Sequence, residues 1–237
     1  MRMFVIRHAE SWQNVNKIAD HPCDPRVAEY ESRDYSLTEK GIDQADRAGR
    51  RLSGVKLDAI FCGPLHRHVA TANEILKHQT ELKTVEILSD LTESDVSDYP
   101  GMPTELLCDL FPDIEIVRHS PSVTGGKESY SFSELCDRVS ERKRANRVVK
   151  YLRNRFPNGG NIAIIASVNF FGSTLGSVIM ELSDEMVDRV TGFGCDNGSI
   201  SLFRSIEGHT EAYFVNDVLH LHVPDKEIVS KLPFAFY

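Results

Sequence analysis

Positive charge is in short supply: 27 lysines and arginines stand against 35 acidic residues, for a net charge of −8. That balance argues against broad binding to nucleic acid or to acidic membranes. Any basic pocket is then a local concentration against an acidic background. Long hydrophobic runs are missing too. No stretch approaches the ~20 residues of a membrane helix, and Arg7 and Glu10 interrupt the apolar start too early for a signal peptide. No linker rich in Gly, Ser or Pro and no internal repeat divides the chain, so residues 1–237 are expected to form one unit. Cysteines are few and scattered: Cys23, Cys62, Cys108, Cys136 and Cys195 show no C-x-x-C spacing. They read as free, mostly buried thiols of a cytoplasmic or nuclear protein. His220 and His222 alternate as on a strand, but no acidic or cysteine partner stands at suitable spacing, so surface histidines are expected and no metal.

What is present is an alternation of strand and helix patterns. An apolar run at 1–6 reads as a buried strand, and 15–36 as an irregular excursion. A helix opens at Leu37-Thr38-Glu39-Lys40-Gly41 with Thr38 as N-cap, carrying Ile42, Ala45, Ala48 and Leu52 at helical spacing. Further strands are expected at 57–62, 85–88 and 161–166, with late, edge strands at 199–204 and 211–215. Helices are expected after Gly63-Pro64 and, as one long element, over 132–156, with Leu135, Val139, Val148, Val149 and Leu152 inward. Between them, 90–131 reads as a loop-rich insert with a short helix near 104–111. The alternation implies an α/β fold of three layers, a mostly parallel sheet covered on both faces. Ligands of such sheets gather at the carboxyl ends of the strands.

The first strand runs into Arg7-His8-Ala9-Glu10-Ser11-Trp12-Gln13-Asn14. Backbone N–H groups at a helix start, with a fixed guanidinium, make a site for phosphate. A histidine held there can attack phosphorus and carry the phosphoryl group. The segment resembles the R-H-G-E-[ST]-x-x-N signature of the histidine phosphatase (phosphoglycerate mutase-like) superfamily, with Ala9 in place of glycine. Gly63-Pro64-Leu65-His66-Arg67 resembles the family's S-P-L-x-R segment, and Leu91-Thr92-Glu93 its L-x-E segment. Leu37–Gly41 is a further hallmark. The resemblance implies a phosphoglycerate mutase-like fold, phosphate binding by Arg7, Asn14 and Arg67, a nucleophile at His8, a general acid at Glu93, and no cofactor. Within branch 1 the chain is most similar to the group with the suppressor-of-T-cell-receptor-signalling phosphatases and ecdysteroid-phosphate phosphatase. That likeness rests on Glu128-Ser129-Tyr130, 101–107 and 161–175.

One element departs. After the strongest strand the family places a second histidine, but here the chain reads Ala166-Ser167-Val168-Asn169, with Ser167 in the histidine's position. Serine brings one hydrogen bond and no positive charge; losing a preorganised donor costs about 10²–10³ in rate. Two readings follow. In the one preferred on sequence, the protein is an impaired or inactive pseudophosphatase that keeps its phosphate pocket and acts by binding a protein or a phosphorylated ligand. In the alternative it is an active phosphomonoesterase working through His8. Ser167→His is expected to restore the site, with Val168 as the crowding residue. A homodimer is implied by the resemblance alone. His66 and His68 are read as helix surface, with His66 near the phosphate as the alternative; the run Arg142-Lys143-Arg144 with Arg147 and Lys150 is read as the solvated face of the long helix, with a protein-docking patch as the alternative. Phe234, Phe236 and Tyr237 are read as an aromatic tail packed on the body.

Overall fold

Strand β1 (Arg2–Arg7) is apolar along its length because both of its faces are covered. Met3 and Val5 point to one side, Phe4 and Ile6 to the other, and each pair joins a different core. The computed structural model describes residues 1–15, 24–30, 32–93, 96–183, 186, 193–206, 209–223 and 226–227. Cys23 and the aromatic tail lie outside these.

In chain order the elements are β1, α1 (Glu39–Leu52), β2 (Ala59–Cys62), α2 (His66–Leu76), β3 (Thr84–Ile87), α3 (Thr104–Leu110) and β4 (Glu115–Arg118). Then come α4 (Phe132–Cys136), α5 (Arg138–Arg155) and β5 (Asn161–Ala166). A helical stretch α6 over 168–179 is regular at both ends and passes through a π turn at Phe171–Leu175. β6 (Ile200–Ile206) and β7 (His209–Asp217) form a hairpin. The sheet has seven strands in the order β4-β3-β2-β5-β1-β6-β7. The first five are parallel, and β6 and β7 are antiparallel. Helices α5 and α6 pack on one face through Val148, Leu152, Phe170 and Ile179. Helices α1, α2 and α3 cover the other through Leu52, Val69, Ile75 and Leu107. This is the expected mostly parallel α/β sandwich.

Several local expectations change. The insert holds β4, which extends the sheet beyond β3 instead of remaining loop; the short run Glu115-Ile116-Val117-Arg118 carried too little apolar character to signal it. The long helix is broken at Asp137, whose carboxylate caps α5 at the Ser140 N–H, so Val139 is exposed instead of inward. Ile42 is likewise exposed on α1. Of the two late strands, β6 is interior, beside β1, and β7 is at the edge. Cys108 and Cys136 are exposed, while Cys62 and Cys195 are buried. His220 and His222 do not share a strand: His220 lies in a 3₁₀ turn, half-buried, with Nε2 bonded to the Gly198 carbonyl.

The placement of β5 decides where chemistry can happen. It lies between β2 and β1, so the residue after its last position is flanked by the ends of both neighbours. That residue is Ser167. His8 N–H donates to the Ala166 carbonyl at 3.0 Å on one side, and Gly63 N–H to the Ile165 carbonyl at 3.3 Å on the other.

Candidate active site

The loop after β1 is held by its neighbours through its backbone. Ala9 N–H donates to Thr71 Oγ1 on α2 (3.1 Å), Glu10 N–H to Gln44 Oε1 on α1 (2.8 Å), and Ser11 N–H to Asn14 Oδ1 (3.0 Å). The expected anion site of free N–H groups at a helix start is therefore absent from the described residues here. Among the described residues a three-residue 3₁₀ turn follows (Trp12–Asn14), and the N–H groups of residues 8–11 already have protein acceptors. From residues 8–11, it is side chains that are left to hold an anion.

The Leu37–Gly41 segment explains itself as a clamp on this loop. Thr38 N–H donates to the Glu10 carbonyl (3.0 Å), Thr38 Oγ1 to Glu10 Oε1 (2.9 Å), and Gly41 N–H to Thr38 Oγ1 (3.0 Å). A Cβ on Gly41 would stand 2.0 Å from the Glu10 carbonyl oxygen, so only glycine permits the approach.

Arg7, His8, Arg67, Glu93 and Ser167 are all nearly buried at the carboxyl ends of the parallel strands. Arg7 Nη1 donates to the Cys195 carbonyl at 2.9 Å while its buried Nε makes no hydrogen bond. A buried charged donor left open is costly unless a ligand completes it. Arg67 Nη1 lies 3.8 Å from Asp34, whose carboxylate also accepts the His66 N–H at the start of α2 (2.8 and 2.9 Å). Asp34 thus fixes both the helix and its arginine. Asn14 Oδ1 accepts from Ser11 and from Asn197 Nδ2 (3.1 Å), which leaves Nδ2 as the end able to donate to an anion. Glu93 Oε2 accepts the Asn169 backbone N–H at 3.2 Å. The Asn169 side chain is exposed, and the backbone turns at Ser167 into α6.

His8 Nδ1 lies 2.8 Å from the Ala9 carbonyl, so Nδ1 carries the proton and Nε2 keeps its lone pair. Burial, Arg67 and Arg7 hold the His8 pKa well below its usual value. At neutral pH its imidazole is uncharged. The Cys195 thiol, pushed up to about 12 by burial, stays protonated and does not compete.

Three residues that sequence reasoning treated as solvated surface are buried: His66, His68 and Arg144. His68 is wholly enclosed, its ring centroid 5.5 Å from that of His8 and its Nε2 2.7 Å from Ser167 Oγ. A histidine introduced at 167 would meet this ring, so His68 is an obstacle to Ser167→His that the sequence did not show. Arg144 donates to the Thr92 carbonyl (2.8 Å) with its guanidinium 4.1 Å above the Phe170 ring, and so steadies the loop bearing Glu93. Arg147 pairs in a bidentate manner with Asp90 at the start of that loop, and Tyr130 bonds the same carboxylate. Arg144 and Arg147 therefore serve the interior, not a solvated face. Helical spacing alone could not reveal this, because it does not say which polar positions meet a strand end.

Buried, neutral His8 and His68 carry a pH signature. Burial first, then Arg67, lowers the His68 pKa well below the usual value, as for His8. The folded state resists protonation where the unfolded chain takes protons, below about pH 6.5. Their contribution is fully present above that pH and is lost as pH falls through it. Urea unfolding from pH 8 to pH 5 should show stability dropping below about 6.5, with the slope reduced in His8→Gln/His68→Gln. An equal slope in that variant would contradict the assignment of both rings as neutral.

Comparison with known proteins meets this geometry. The family model of the histidine phosphatase superfamily (branch 1) matches residues 3–218. The chain belongs to that superfamily. Phosphoserine phosphatase 1 of Hydrogenobacter thermophilus is 26% identical over 229 residues, covering 93% of this chain and 94% of the relative. This histidine phosphatase superfamily member also shares its fold with a putative alpha-ribazole-5'-P phosphatase from Escherichia coli (TM-score 0.59, 20% identity, 92% of this chain and 97% of that one). The phosphoserine phosphatase of Entamoeba histolytica in complex with 3-phosphoglyceric acid is similar again (TM-score 0.57, 20% identity, 93% and 99%). The phosphoglycerate mutase-like expectation for the fold is met.

Proposed function

We propose that the protein is a phosphomonoesterase that passes the phosphoryl group through His8. The observation that carries this is the His8 tautomer: Nδ1 is committed to the Ala9 carbonyl, so the Nε2 lone pair is the free end among Arg7 and Arg67. Nε2 attacks phosphorus, the N–P bond forms and the bond to the leaving oxygen breaks. Glu93 supplies the proton that oxygen needs. Water then attacks the phosphohistidine, returns a proton to Glu93 and frees phosphate. Arg7, Arg67 and Asn14 hold the phosphoryl oxygens; lysine in place of either arginine would not reproduce the planar fork.

Small phosphorylated acids are the first substrates to test, because the relative that covers nearly the whole chain is a phosphoserine phosphatase. Steady-state hydrolysis of p-nitrophenyl phosphate and phosphoserine should be measurable. Absence of any turnover would remove the reading. A second reading, a pseudophosphatase that binds a phosphorylated ligand or a protein, is favoured by Ser167 at the end of β5, and it would stand if vanadate binds without turnover.

A further inference from the structure

Ser167 Oγ lies 2.7 Å from His68 Nε2, with both side chains buried. On its other side the His68 ring rests against the Gly63 backbone, which favours the protonated ring, although Nδ1 and Gly63 do not meet in full hydrogen-bond geometry. A neutral imidazole has one N–H, and a proton on Nδ1 would be buried without a well-placed acceptor. With the proton on Nε2, His68 donates to Ser167 Oγ. The serine hydrogen is then free to turn to a ligand, and a hydroxyl that accepts a hydrogen bond is the stronger donor.

The fold sets this residue beside the end of β1 that carries His8. Ser167 follows Ala166, which stands opposite Arg7 in the β1–β5 register, and the rings of His8 and His68 are 5.5 Å apart between centroids. The charged or titratable groups bearing on His68 are Arg67 on its own helix and His8 at the end of β1. Room for the ring depends on position 63: a Cβ there would lie 2.3 Å from His68 Nδ1 and 2.5 Å from the Leu91 carbonyl oxygen. Gly63 and His68 are thus matched to each other.

We propose that Ser167 donates to the phosphoryl oxygen facing His8, and that His68, reaching across from α2, fixes and polarises the serine hydroxyl. Ser167 is the group that touches the phosphoryl; His68 is a positioning residue. The pair transfers no proton and makes no bond: it stabilises charge as it builds on the oxygens. The inference rests on the phosphatase reading of the same site.

The test compares Ser167→Ala, His68→Gln, their combination, and the exchange Ser167→His/His68→Ala, using p-nitrophenyl phosphate turnover and vanadate affinity. Ser167→Ala should lower kcat by about 10²-fold with little change in KM. His68→Gln should lower kcat in the same sense, and the combination should be no worse than Ser167→Ala alone, because the two act as a unit. The exchange, which returns an imidazole to the strand end and vacates its present place, should recover much of the loss. Vanadate affinity should fall in the first three variants. Near-normal kcat and vanadate affinity in Ser167→Ala, a substitution small enough to fold, would overturn the proposal. If the unmodified protein has no turnover yet vanadate affinity depends on Ser167 and His68, the phosphatase reading fails while the pair's assignment stands.

Discussion

Replacing His8 by alanine is expected to lower turnover by about 10⁴-fold or more, to the level of residual pocket effects. The size follows from the chemistry, since without Nε2 there is no covalent intermediate and water would have to attack the monoester directly. His68 is the competing nucleophile to consider, because it is neutral and close. Its Nε2 is engaged by Ser167 at 2.7 Å, however, and its Nδ1 is turned against Gly63. Steady-state rates of His8→Ala with p-nitrophenyl phosphate check this. Activity within about tenfold of the unmodified protein would show that phosphate is transferred elsewhere.

The second large effect is on anion binding. Arg7→Ala should weaken phosphate or vanadate about 10²-fold, as expected for losing hydrogen bonds to a charged group in a buried site. It should also destabilise the protein, because the buried Cys195 carbonyl loses its donor at 2.9 Å. The two losses separate by mass action. Saturating anion should raise the melting temperature of the unmodified protein by an amount that grows with log concentration, whereas Arg7→Ala at the same concentration should respond little. An equal thermal shift in both proteins would mean that anions bind at another site.

Arg7, His8, Arg67 and Glu93 could be found in the sequence through the family motifs they resemble, and they come together because the ends of parallel strands converge. Thr38 was legible as a helix cap, but its second task, holding the Glu10 carbonyl and carboxylate, needs the fold. His68 was not legible. Its neighbours Val69, Ala72 and Ile75 mark the apolar face of α2, yet the first turn of that helix is buried all round by the strand ends above it. Arg144 was hidden for a related reason. It sits in a basic run that reads as solvated, and the rings of Phe170 and Tyr130, the Thr92 carbonyl and the Glu141 carboxylate make its burial tolerable. The break at Asp137 could have been suspected from Asp137 and Ser140 at capping distance, but the apolar spacing ran across it.

The active phosphatase and the binding-only protein differ in one chemical species. Brief reaction with a ³²P-labelled phosphomonoester, rapid quenching in base and peptide mapping should recover label on His8, stable in alkali and lost in acid as phosphohistidine is. Label should be absent from His8→Ala and unchanged in its position when Glu93 is replaced by glutamine. Turnover of the substrate with no label on His8 at any quench time, or label on another residue, would contradict the account.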